Sequence, residues 1–430
     1  MPAPQPFKRA ILHIDGDSFF TSCEVAMNPS LRGKPIVTGK ERGIASSMSY
    51  EARARGITRA MKLTEVRKIC PDVIILPSDY ETYSMFSRRM YEIVRRYTPD
   101  VEEYSIDECF ADLTGLRGPL HMSYEEMAAA IKHDLENELG ITFSVGLSST
   151  KVLAKVGSKW KKPAGLTCIP STMIRTFLKT LPVGYVWGIG RQTTEYLEKH
   201  GVRTALEYIE KSEEWIEKHM SKPYREIWHE LQGVSVHAIN TAEKHDYQSI
   251  SKTRTFTPPS SDRDFIFSQL SNNVEDACAK ARRHGLSAEK VFFFLKTQEF
   301  EYKGFEFTLS DPLSVPSEII KIIKEDFSEV YKPGVEYRAT GVVLMNLTPY
   351  ENEQLDLFGA SVELTRWRRV YAVVDSLDDK FGRHTVFLGT TLKTLAQAVK
   401  SVDVPARKTS LLRGENFRQR LGMPVLGEVM

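Results

Sequence analysis

Acidic side chains lie at two places where strands are predicted to end. Asp15 closes the first apolar run of the chain, and the neighbouring pair Asp107 and Glu108 lies between two further strand-like segments. Carboxylate oxygens are the ligands that Mg²⁺ prefers, and two such ions roughly 3.5 to 4 Å apart assist phosphoryl transfer. A sheet that pairs these strands would build such a site. A simpler interpretation also stands, in which Asp15 and Asp17 cap a helix while Asp107 and Glu108 solvate a turn.

The geometry of strands constrains the pair Asp107 and Glu108. Consecutive residues of a regular strand point to opposite faces of its sheet, so these two side chains can converge only if the chain turns there. The sequence therefore predicts a hairpin corner or bulge at this pair. Asp107 would be the more central ligand, with Glu108 approaching from the side.

The elements that must position these side chains alternate between strands and helices, as is typical of an α/β or α+β protein. The predicted strands of the first part are 9–15, 35–39, 43–47, 73–76 and 142–147, and its helices are 18–27, 50–55, 63–70, 80–97 and 124–139. A purely helical stretch follows over 181–232. Strands return at 251–256, 291–296 and 339–344, with helices at 267–284, 318–327 and 367–381. A chain of 430 residues exceeds one ordinary core, so these segments indicate several domains.

Composition narrows the class of protein. The net charge is only +2, so nucleic-acid binding cannot be argued from the overall balance and would need local basic surfaces. The five cysteines are scattered and lack zinc-ligand spacing, which indicates free thiols in a reducing compartment. No apolar run reaches about 18 residues, and the N-terminus lacks the apolar core of a signal peptide. We therefore expect a cytoplasmic protein without a membrane partner.

Four short motifs occur in order along the chain: Ile14-Asp-Gly-Asp-Ser-Phe-Phe20, Ser49-Tyr-Glu-Ala-Arg53, Tyr104-Ser-Ile-Asp-Glu108 and Lys161-Lys-Pro-Ala-Gly165. In order and spacing they resemble the Y family of DNA polymerases, to which bacterial DNA polymerases IV and V belong. The resemblance covers roughly residues 9–358. It implies an α+β multidomain fold shaped like a right hand. The palm would carry a mixed or antiparallel sheet with helices, beside small fingers, a helical thumb of helix-hairpin-helix type and an α/β little finger.

The same resemblance implies domain limits and a reaction. The palm would comprise residues 1–27 and 78–177, the fingers 28–77, the thumb 178–240, a linker 241–250, the little finger 251–350 and a C-terminal tail 351–430. The implied reaction is low-fidelity, template-directed DNA synthesis past damaged bases. A deoxynucleotide is transferred to a primer 3′-hydroxyl with the help of two Mg²⁺ ions, for which Mn²⁺ can substitute.

The resemblance assigns Asp15, Asp107 and Glu108 to the metals, with the backbone carbonyl of Gly16 as a further ligand. Phe20 falls where the family places its steric gate, an aromatic ring under the sugar that excludes a ribose 2′-hydroxyl. Its alternative role is packing on the sheet.

Further residues are assigned to the incoming nucleotide. Phe19 neighbours the gate, although packing in the core is its alternative. Tyr50 and Arg53 lie three residues apart on one helical face and would contact the triphosphate, because the planar guanidinium bonds phosphate oxygens in pairs. Ser47 would add a hydroxyl contact, and Lys162 would reach the β- and γ-phosphates. A solvated surface charge is the alternative for Arg53.

Two segments suggest contacts with DNA. The run Trp187, Gly188, Ile189, Gly190 and Arg191 between two helices resembles a helix-hairpin-helix, whose backbone amides bind phosphate. An ordinary helical turn is the alternative. Lys252 and Arg254 share one face of a predicted strand, as expected of a surface that follows the DNA backbone.

A pentapeptide suggests a protein partner. Gln354, Leu355, Leu357 and Phe358 resemble the motif by which bacterial polymerases bind the β subunit of the sliding clamp, with two adjacent apolar anchors. We expect a monomer whose partners are primer-template DNA, deoxynucleotides and this clamp.

Two other classes of protein would share part of this pattern. A nucleotide cyclase or signalling synthase would have the acidic cluster but would need neither a thumb nor a clamp peptide. A non-catalytic or complex-dependent clamp-bound damage-tolerance factor would have the peptide but would not need Asp15, Asp107, Glu108, Arg53 and Lys162 together.

Overall fold

The computed structural model describes residues 7, 9–241, 247–350, 360–381 and 384–400. The chain divides into two compact units, Met1–Ala242 and Glu243–Met430. The division falls within the segment 241–250, which the sequence indicates as a linker. None of the helices in the described ranges is both long enough and apolar enough to cross a membrane.

The first unit contains eight described strands and twelve described α-helices. The strands are β1 (Ile11–Gly16), β2 (Ile36–Thr38), β3 (Ser47–Met48), β4 (Ile74–Leu76), β5 (Val101–Ser105), β6 (Glu108–Asp112), β7 (Phe143–Ser148) and β8 (Leu166–Ile169). The helices are α1 (Phe19–Met27), α2 (Tyr50–Ala54), α3 (Leu63–Ile69), α4 (Tyr80–Arg95), α5 (Arg117–Leu120), α6 (Tyr124–Leu139), α7 (Lys151–Trp160), α8 (Ile174–Thr180), α9 (Arg191–Lys199), α10 (Ala205–Ile209), α11 (Glu213–His219) and α12 (Lys222–Leu231).

The main sheet of the first unit has the strand order β5-β6-β1-β7-β8. Its pairs are antiparallel except for β7 with β8, which is parallel. The central strand β1 is buried throughout, and its alternate residues serve different faces. Leu12 and Ile14 belong to the core under α4 and α6, whereas Ile11 packs with Ala154 of α7. By alternation, Asp15 shares the α7 side of the sheet with Ile11.

Helix α7 lies unusually close to this sheet. The Thr150 hydroxyl caps its N-terminus by accepting a hydrogen bond from the Leu153 amide. A Cβ added to Gly146 of β7 would lie 2.0 Å from the Ala154 carbonyl oxygen, and one added to Gly157 would lie 3.0 Å from the Gly146 Cα. Facing glycines therefore let the helix approach the strand, backbone to backbone.

Two smaller groups of elements complete the first unit. A three-stranded sheet of order β3-β2-β4 shares a core with α2 and α3. The sequence predicts a strand over 43–47, but β3 covers only Ser47–Met48, because positive backbone φ angles at Gly39 and Gly43 turn the preceding chain. Helices α8 to α12 share a core with apolar residues of α7 and with Ile169 of β8.

The second unit is built on an antiparallel sheet of order β11-β10-β12-β9. Its strands are β9 (Ser249–Ser260), β10 (Leu286–Thr297), β11 (Tyr302–Leu313) and β12 (Tyr337–Pro349). Its helices are α13 (Arg263–Arg283), α14 (Pro316–Val330), α15 (Ala360–Phe381) and α16 (Leu392–Lys400). The core lies between the sheet and the pair α13 and α14.

The described part of the segment 351–430, which the sequence indicates as a C-terminal tail, contains two helices. Helix α15 begins at Ala360 rather than at Trp367, and α16 packs on α13. Arg282 of α13 forms a two-pronged ion pair with Asp375 of α15, with donor–acceptor distances of 2.8 and 2.7 Å. Glu275 of α13 accepts hydrogen bonds from the Leu388 amide and the Thr391 hydroxyl. Polar contacts of this kind leave no repeating apolar pattern in the sequence, which is the signal that predicts helices and their buried faces.

Candidate active site

The acidic pair forms where β1 and β6 run side by side. Asp15 lies directly opposite Glu108 in their antiparallel register, so both side chains lie on the face that α7 covers. Strand β5 ends at Ser105 and β6 begins at Glu108, with a two-residue turn between them and a register shift just before it. The predicted hairpin corner is confirmed.

Glu108, rather than Asp107, is the residue that faces Asp15. Asp107 lies in the turn, where its carboxylate accepts a hydrogen bond from the Ser105 hydroxyl. Its backbone carbonyl accepts a hydrogen bond from the Gly16 amide at 2.8 Å, which fixes the turn against the end of β1. The expectation that Asp107 is the more central metal ligand stays a prediction, since the structure shows only that Glu108 is the residue opposite Asp15 in the β1–β6 pair.

Each carboxylate of the facing pair is held by a lysine ammonium. Lys162 is hydrogen-bonded to Asp15, and Lys155 of α7 is hydrogen-bonded to Glu108. Burial raises the pKa of Asp15 to about 6 even though Lys162 lowers it. Burial also works to raise the pKa of Glu108, but the neighbouring His13 and the Lys155 ammonium prevail and lower it to about 2. Both groups are therefore carboxylates near neutral pH, and each requires a cation beside it.

This donor set fits a hard divalent cation. Carboxylate oxygens facing each other at a strand end are suitable ligands, and the lysine ammonium groups are stand-in cations at the same oxygens. In the ranges that the structure describes, no three His, Cys, Asp or Glu side chains are gathered tightly enough to hold an ion. A divalent cation at these two carboxylates would compete with the Lys155 and Lys162 ammonium groups.

Asp17 does not cap α1, which corrects the expectation from sequence. Ser18 occupies the capping position, in a left-handed backbone conformation and without a side-chain cap. The Asp17 carboxylate is buried, where it accepts hydrogen bonds from the Ser144 hydroxyl at 2.8 Å, the Ala164 amide at 2.7 Å and the Tyr50 hydroxyl at 3.3 Å. Asp17 therefore ties the loop that carries Lys162 to the helix that carries Tyr50.

Phe19 and Phe20 begin α1 and face different surroundings. Phe19 is buried in the core, as its alternative interpretation has it. Phe20 is half-buried and stacks on Tyr83, with ring centroids 4.4 Å apart and planes at 11°. The Tyr83 hydroxyl donates a hydrogen bond of 2.9 Å to Glu24, so the stacking ring is itself held in place.

The residues assigned to the triphosphate come from separate elements. Tyr50 and Arg53 share a face of α2, and the Arg53 guanidinium lies 4.8 Å from the centre of the Tyr50 ring. Arg53 is exposed, and Ser47 is half-buried on β3. Lys162 lies beside Asp15, also within 3.7 Å of Asp17. The hydrogen bond of Tyr50 to Asp17 is the direct connection between α2 and this acidic corner.

The turn before α9 uses its residues in two ways. Gly190 is the N-cap residue just before α9 and Gly188 has a positive φ of 89°, and both are exposed. Ile189 is buried, and Trp187 packs between Tyr104 and Phe110 of the β5–β6 hairpin. The same turn leaves Arg191 exposed, so the accessible part of the predicted DNA-binding segment consists of the glycine backbone and this arginine.

The remaining predicted residues lie in or after the second unit's sheet. Lys252 and Arg254 follow Ile250 at two-residue spacing on β9, so all three lie on the same face of the sheet. Ile250 belongs to the core, so this is the face that the helices cover. Lys252 is half-buried and Arg254 is exposed. Gln354, Leu355, Leu357 and Phe358 lie outside the described residues.

Sequence reasoning missed two side chains of this site, Lys155 and Tyr83. Lys151, Lys155 and Lys159 follow one another at four-residue spacing on α7, a pattern that ordinarily marks a solvated helix face. The pattern is instead buried at its first two positions, where Lys151 and Lys155 meet the carboxylates of Glu102 and Glu108. Only the pairing of strands reveals those partners.

Comparison with known proteins is consistent with this geometry. A model of the impB/mucB/samB family matches residues 14–159, and a model of the C-terminal domain of that family matches 247–357. The chain is 31% identical to DNA polymerase IV 1 of Bacillus subtilis over 394 residues, which are 90% of this chain and 94% of that protein. It is 31% identical to DNA polymerase IV of Opitutus terrae over 386 residues, with coverage of 89% and 97%.

Solved structures show the same fold. A chimera of the Y-family DNA polymerases Dbh and Dpo4 superposes with a TM-score of 0.66 at 21% identity, covering 79% of this chain and 99% of that chain. An insertion ternary complex of Dbh DNA polymerase superposes with a TM-score of 0.51 at 22% identity and the same coverage. The matches and the fold define a DNA-directed DNA polymerase. Within that class, the chain belongs to the Y family.

Proposed function

We propose that the protein performs translesion synthesis, extending a primer opposite damaged template bases. The observation that carries this proposal is the facing pair Asp15 and Glu108 at the end of β1, with Lys162 bonded to Asp15 and Phe20 at the start of the next helix. A strand end with paired carboxylates and a phosphate-binding lysine suits transfer of a nucleotidyl group.

In the proposed reaction the primer 3′-hydroxyl attacks the α-phosphorus of a deoxynucleoside triphosphate. A bond forms between the primer oxygen and that phosphorus, the bond to the β-phosphate breaks, and pyrophosphate leaves. The hydroxyl proton passes to water or to a phosphate oxygen, since no side chain of the motifs is placed as a base. Positioning and charge neutralisation therefore supply the catalysis.

Asp15, Asp107, Glu108 and the Gly16 carbonyl would hold two Mg²⁺ ions, or Mn²⁺ in their place. When bound, the ions neutralise the phosphates and orient the attacking and leaving oxygens. Lys162 would bind the triphosphate. To do so, its ammonium would have to leave Asp15, to which it is hydrogen-bonded.

Arg53 and Tyr50 would hold the triphosphate from α2, with Ser47 adding a hydroxyl contact. Phe20 would exclude the ribose 2′-hydroxyl, because its stacking on Tyr83 leaves the ring no room to retreat. Phe19 supports this ring only indirectly, from within the core.

We assign the palm to the five-stranded sheet with its helices, the fingers to the sheet β3-β2-β4, the thumb to α8–α12 and the little finger to the sheet β11-β10-β12-β9. The limits are those predicted from sequence, except that the thumb begins with α8 at Ile174 and that α15 and α16 join the little finger. The backbone around Gly188 and Gly190, with Arg191, would bind a phosphate of the DNA backbone, and Lys252 and Arg254 would contribute from β9. Leu357 and Phe358 would anchor the chain on the sliding clamp.

Bypass of a damaged base tests the proposal. Primer extension is measured on two templates that differ only in one abasic site, with the parent and with Glu108→Gln. The matched control is Glu103→Gln, which changes an exposed glutamate of the neighbouring strand. We expect the parent and the control to extend past the abasic site, and Glu108→Gln to lose extension on both templates. A parent that copies the intact template but always stops at the abasic site would contradict translesion synthesis there.

A further inference from the structure

Lys155 is a buried lysine that the proposed reaction does not use. It leaves only 6% of its side chain exposed, and its ammonium bonds to Glu108. A buried charge is costly unless it is paired, and removing one partner leaves the other uncompensated. Each of these two side chains therefore fixes the position of the other.

Three aromatic rings surround the same ammonium. The Nζ atom lies 4.5 Å from the centre of the Tyr104 ring, 5.3 Å from that of Trp187 and 6.0 Å from that of Phe110. The indole N–H of Trp187 donates a hydrogen bond of 3.1 Å to the Tyr104 hydroxyl. Ring faces attract an ammonium by their quadrupole, so this aromatic box stabilises Lys155 beside Glu108.

The aromatic box joins three elements at one point. Tyr104 lies on β5 and Phe110 on β6, which are the two strands of the hairpin that carries Glu108. Trp187 lies in the turn before α9, and Lys155 comes from α7. A displacement of that turn therefore reaches Glu108 through Trp187 and the Lys155 ammonium.

We propose that Lys155 is a positioning residue of the polymerase site, which acts through Glu108 and is coupled to the turn before α9 by the aromatic box. The inference deepens the proposed function and rests on it. The ammonium occupies an oxygen of Glu108 that a divalent cation would use. It therefore holds the carboxylate in position, facing Asp15, until the cation binds. It also opposes the cation by charge repulsion.

Binding of Mn²⁺ in the absence of DNA and nucleotide provides a test that does not depend on turnover. The affinity is measured from the electron paramagnetic resonance signal of free Mn²⁺. We expect Lys155→Met to bind Mn²⁺ about tenfold more tightly, because a neighbouring positive charge has been removed. Lys155→Arg keeps the charge and should retain the parent affinity.

Lys151→Met is the matched control. Lys151 lies one turn earlier on the same helix, is 7% exposed and is paired with Glu102 rather than with Glu108. Its replacement should lower thermal stability to a similar degree while leaving the Mn²⁺ affinity unchanged.

Single-nucleotide incorporation supplies the second readout. Lys155→Met should lower kcat by about ten- to a hundredfold with little change in KM for the deoxynucleotide, because the Glu108 carboxylate is no longer held in position. Lys155→Arg should recover most of this loss. Tyr104→Phe deletes only the acceptor for Trp187 and should lower kcat by about threefold without altering the fold.

An unchanged Mn²⁺ affinity in folded Lys155→Met would overturn the proposal. The proposal would also be overturned if Lys155→Met and Lys151→Met changed the Mn²⁺ affinity and kcat equally, in proportion to the stability that each variant loses. If the parent extends no primer, the proposed function fails, whereas the Mn²⁺ titration still decides the role of Lys155.

Discussion

Replacement of Gly146 by alanine should displace α7 and disable the acidic pair. The added Cβ would lie 2.0 Å from the Ala154 carbonyl oxygen and 2.3 Å from the Ser158 amide nitrogen, and both are backbone atoms that cannot rotate away. Restoring an ordinary contact of 3.4 Å to the Ala154 oxygen requires a retreat of about 1.4 Å. The helix and the strand must therefore separate.

The magnitude follows from this separation. Overpacking of a tight contact costs about 1–3 kcal/mol, which for a unit of this size lowers the Tm by roughly 2–12 °C. Retreat of α7 also draws the Lys155 ammonium from Glu108. A misplacement of about 1 Å costs roughly a hundredfold in rate, so the loss of activity should exceed the loss of folded protein.

The assay combines thermal unfolding with single-turnover primer extension at a temperature where the variant is folded. Gly118→Ala is the matched control, because a Cβ at Gly118 of α5 meets no atom within 4 Å and its backbone φ lies outside the left-handed region. It should be neutral or stabilise the protein by about 0.5–1 kcal/mol. Parent-like stability and rate in Gly146→Ala would refute the argument that α7 must approach β7 so closely.

Three further predictions concern the gate, the clamp peptide and the C-terminal helices. Phe20→Ala should admit ribonucleotides, measured as the ratio of ribonucleotide to deoxynucleotide incorporation, and an unchanged ratio would remove the gate assignment. Replacing Leu357 and Phe358 by alanine should abolish stimulation by the clamp while sparing extension of short primed templates, and persistent stimulation would discard the docking site. Asp375→Ala should destabilise the second unit by about 1.5–3 kcal/mol in urea unfolding, because Arg282 loses its carboxylate partner but keeps its hydrogen bond to the Ser314 carbonyl and its contact with the Tyr371 ring. The double variant Arg282→Met/Asp375→Leu should recover most of that loss, and equal instability of both variants would contradict the ion-pair argument.

Local pattern was sufficient to predict much of the fold. The alternation of apolar runs predicted β1, β7 and the long helices α4 and α6, since each buries one continuous face. The corner at Asp107 also followed from strand geometry, because two adjacent carboxylates cannot otherwise share a site. In each case the signal lies within about a dozen residues.

Features that depend on distant partners could not be predicted. Asp17 resembles a helix cap in sequence, but its carboxylate accepts a hydrogen bond from Ser144, which the pairing of β1 with β7 places opposite the nearby Asp15. The lysines of α7 resemble a solvated stripe until β5 and β6 bring Glu102 and Glu108 beneath them. Polar contacts such as those of Asp375 with Arg282 and of Thr394 with Ser268 help to hold α15 and α16 on α13, and hydrophobic periodicity gives no sign of these contacts.

Whether the acidic site catalyses DNA synthesis is decided by extension of a primed, undamaged template with Mg²⁺ and deoxynucleotides, comparing the parent with Asp107→Ala. Asp107 lies in a half-buried turn between β5 and β6, outside both strands, so its replacement should leave the fold intact, and circular dichroism checks this. We expect distributive extension by the parent and its loss in the variant. Extension by Asp107→Ala at the parent rate would contradict the acidic site as the centre of the reaction.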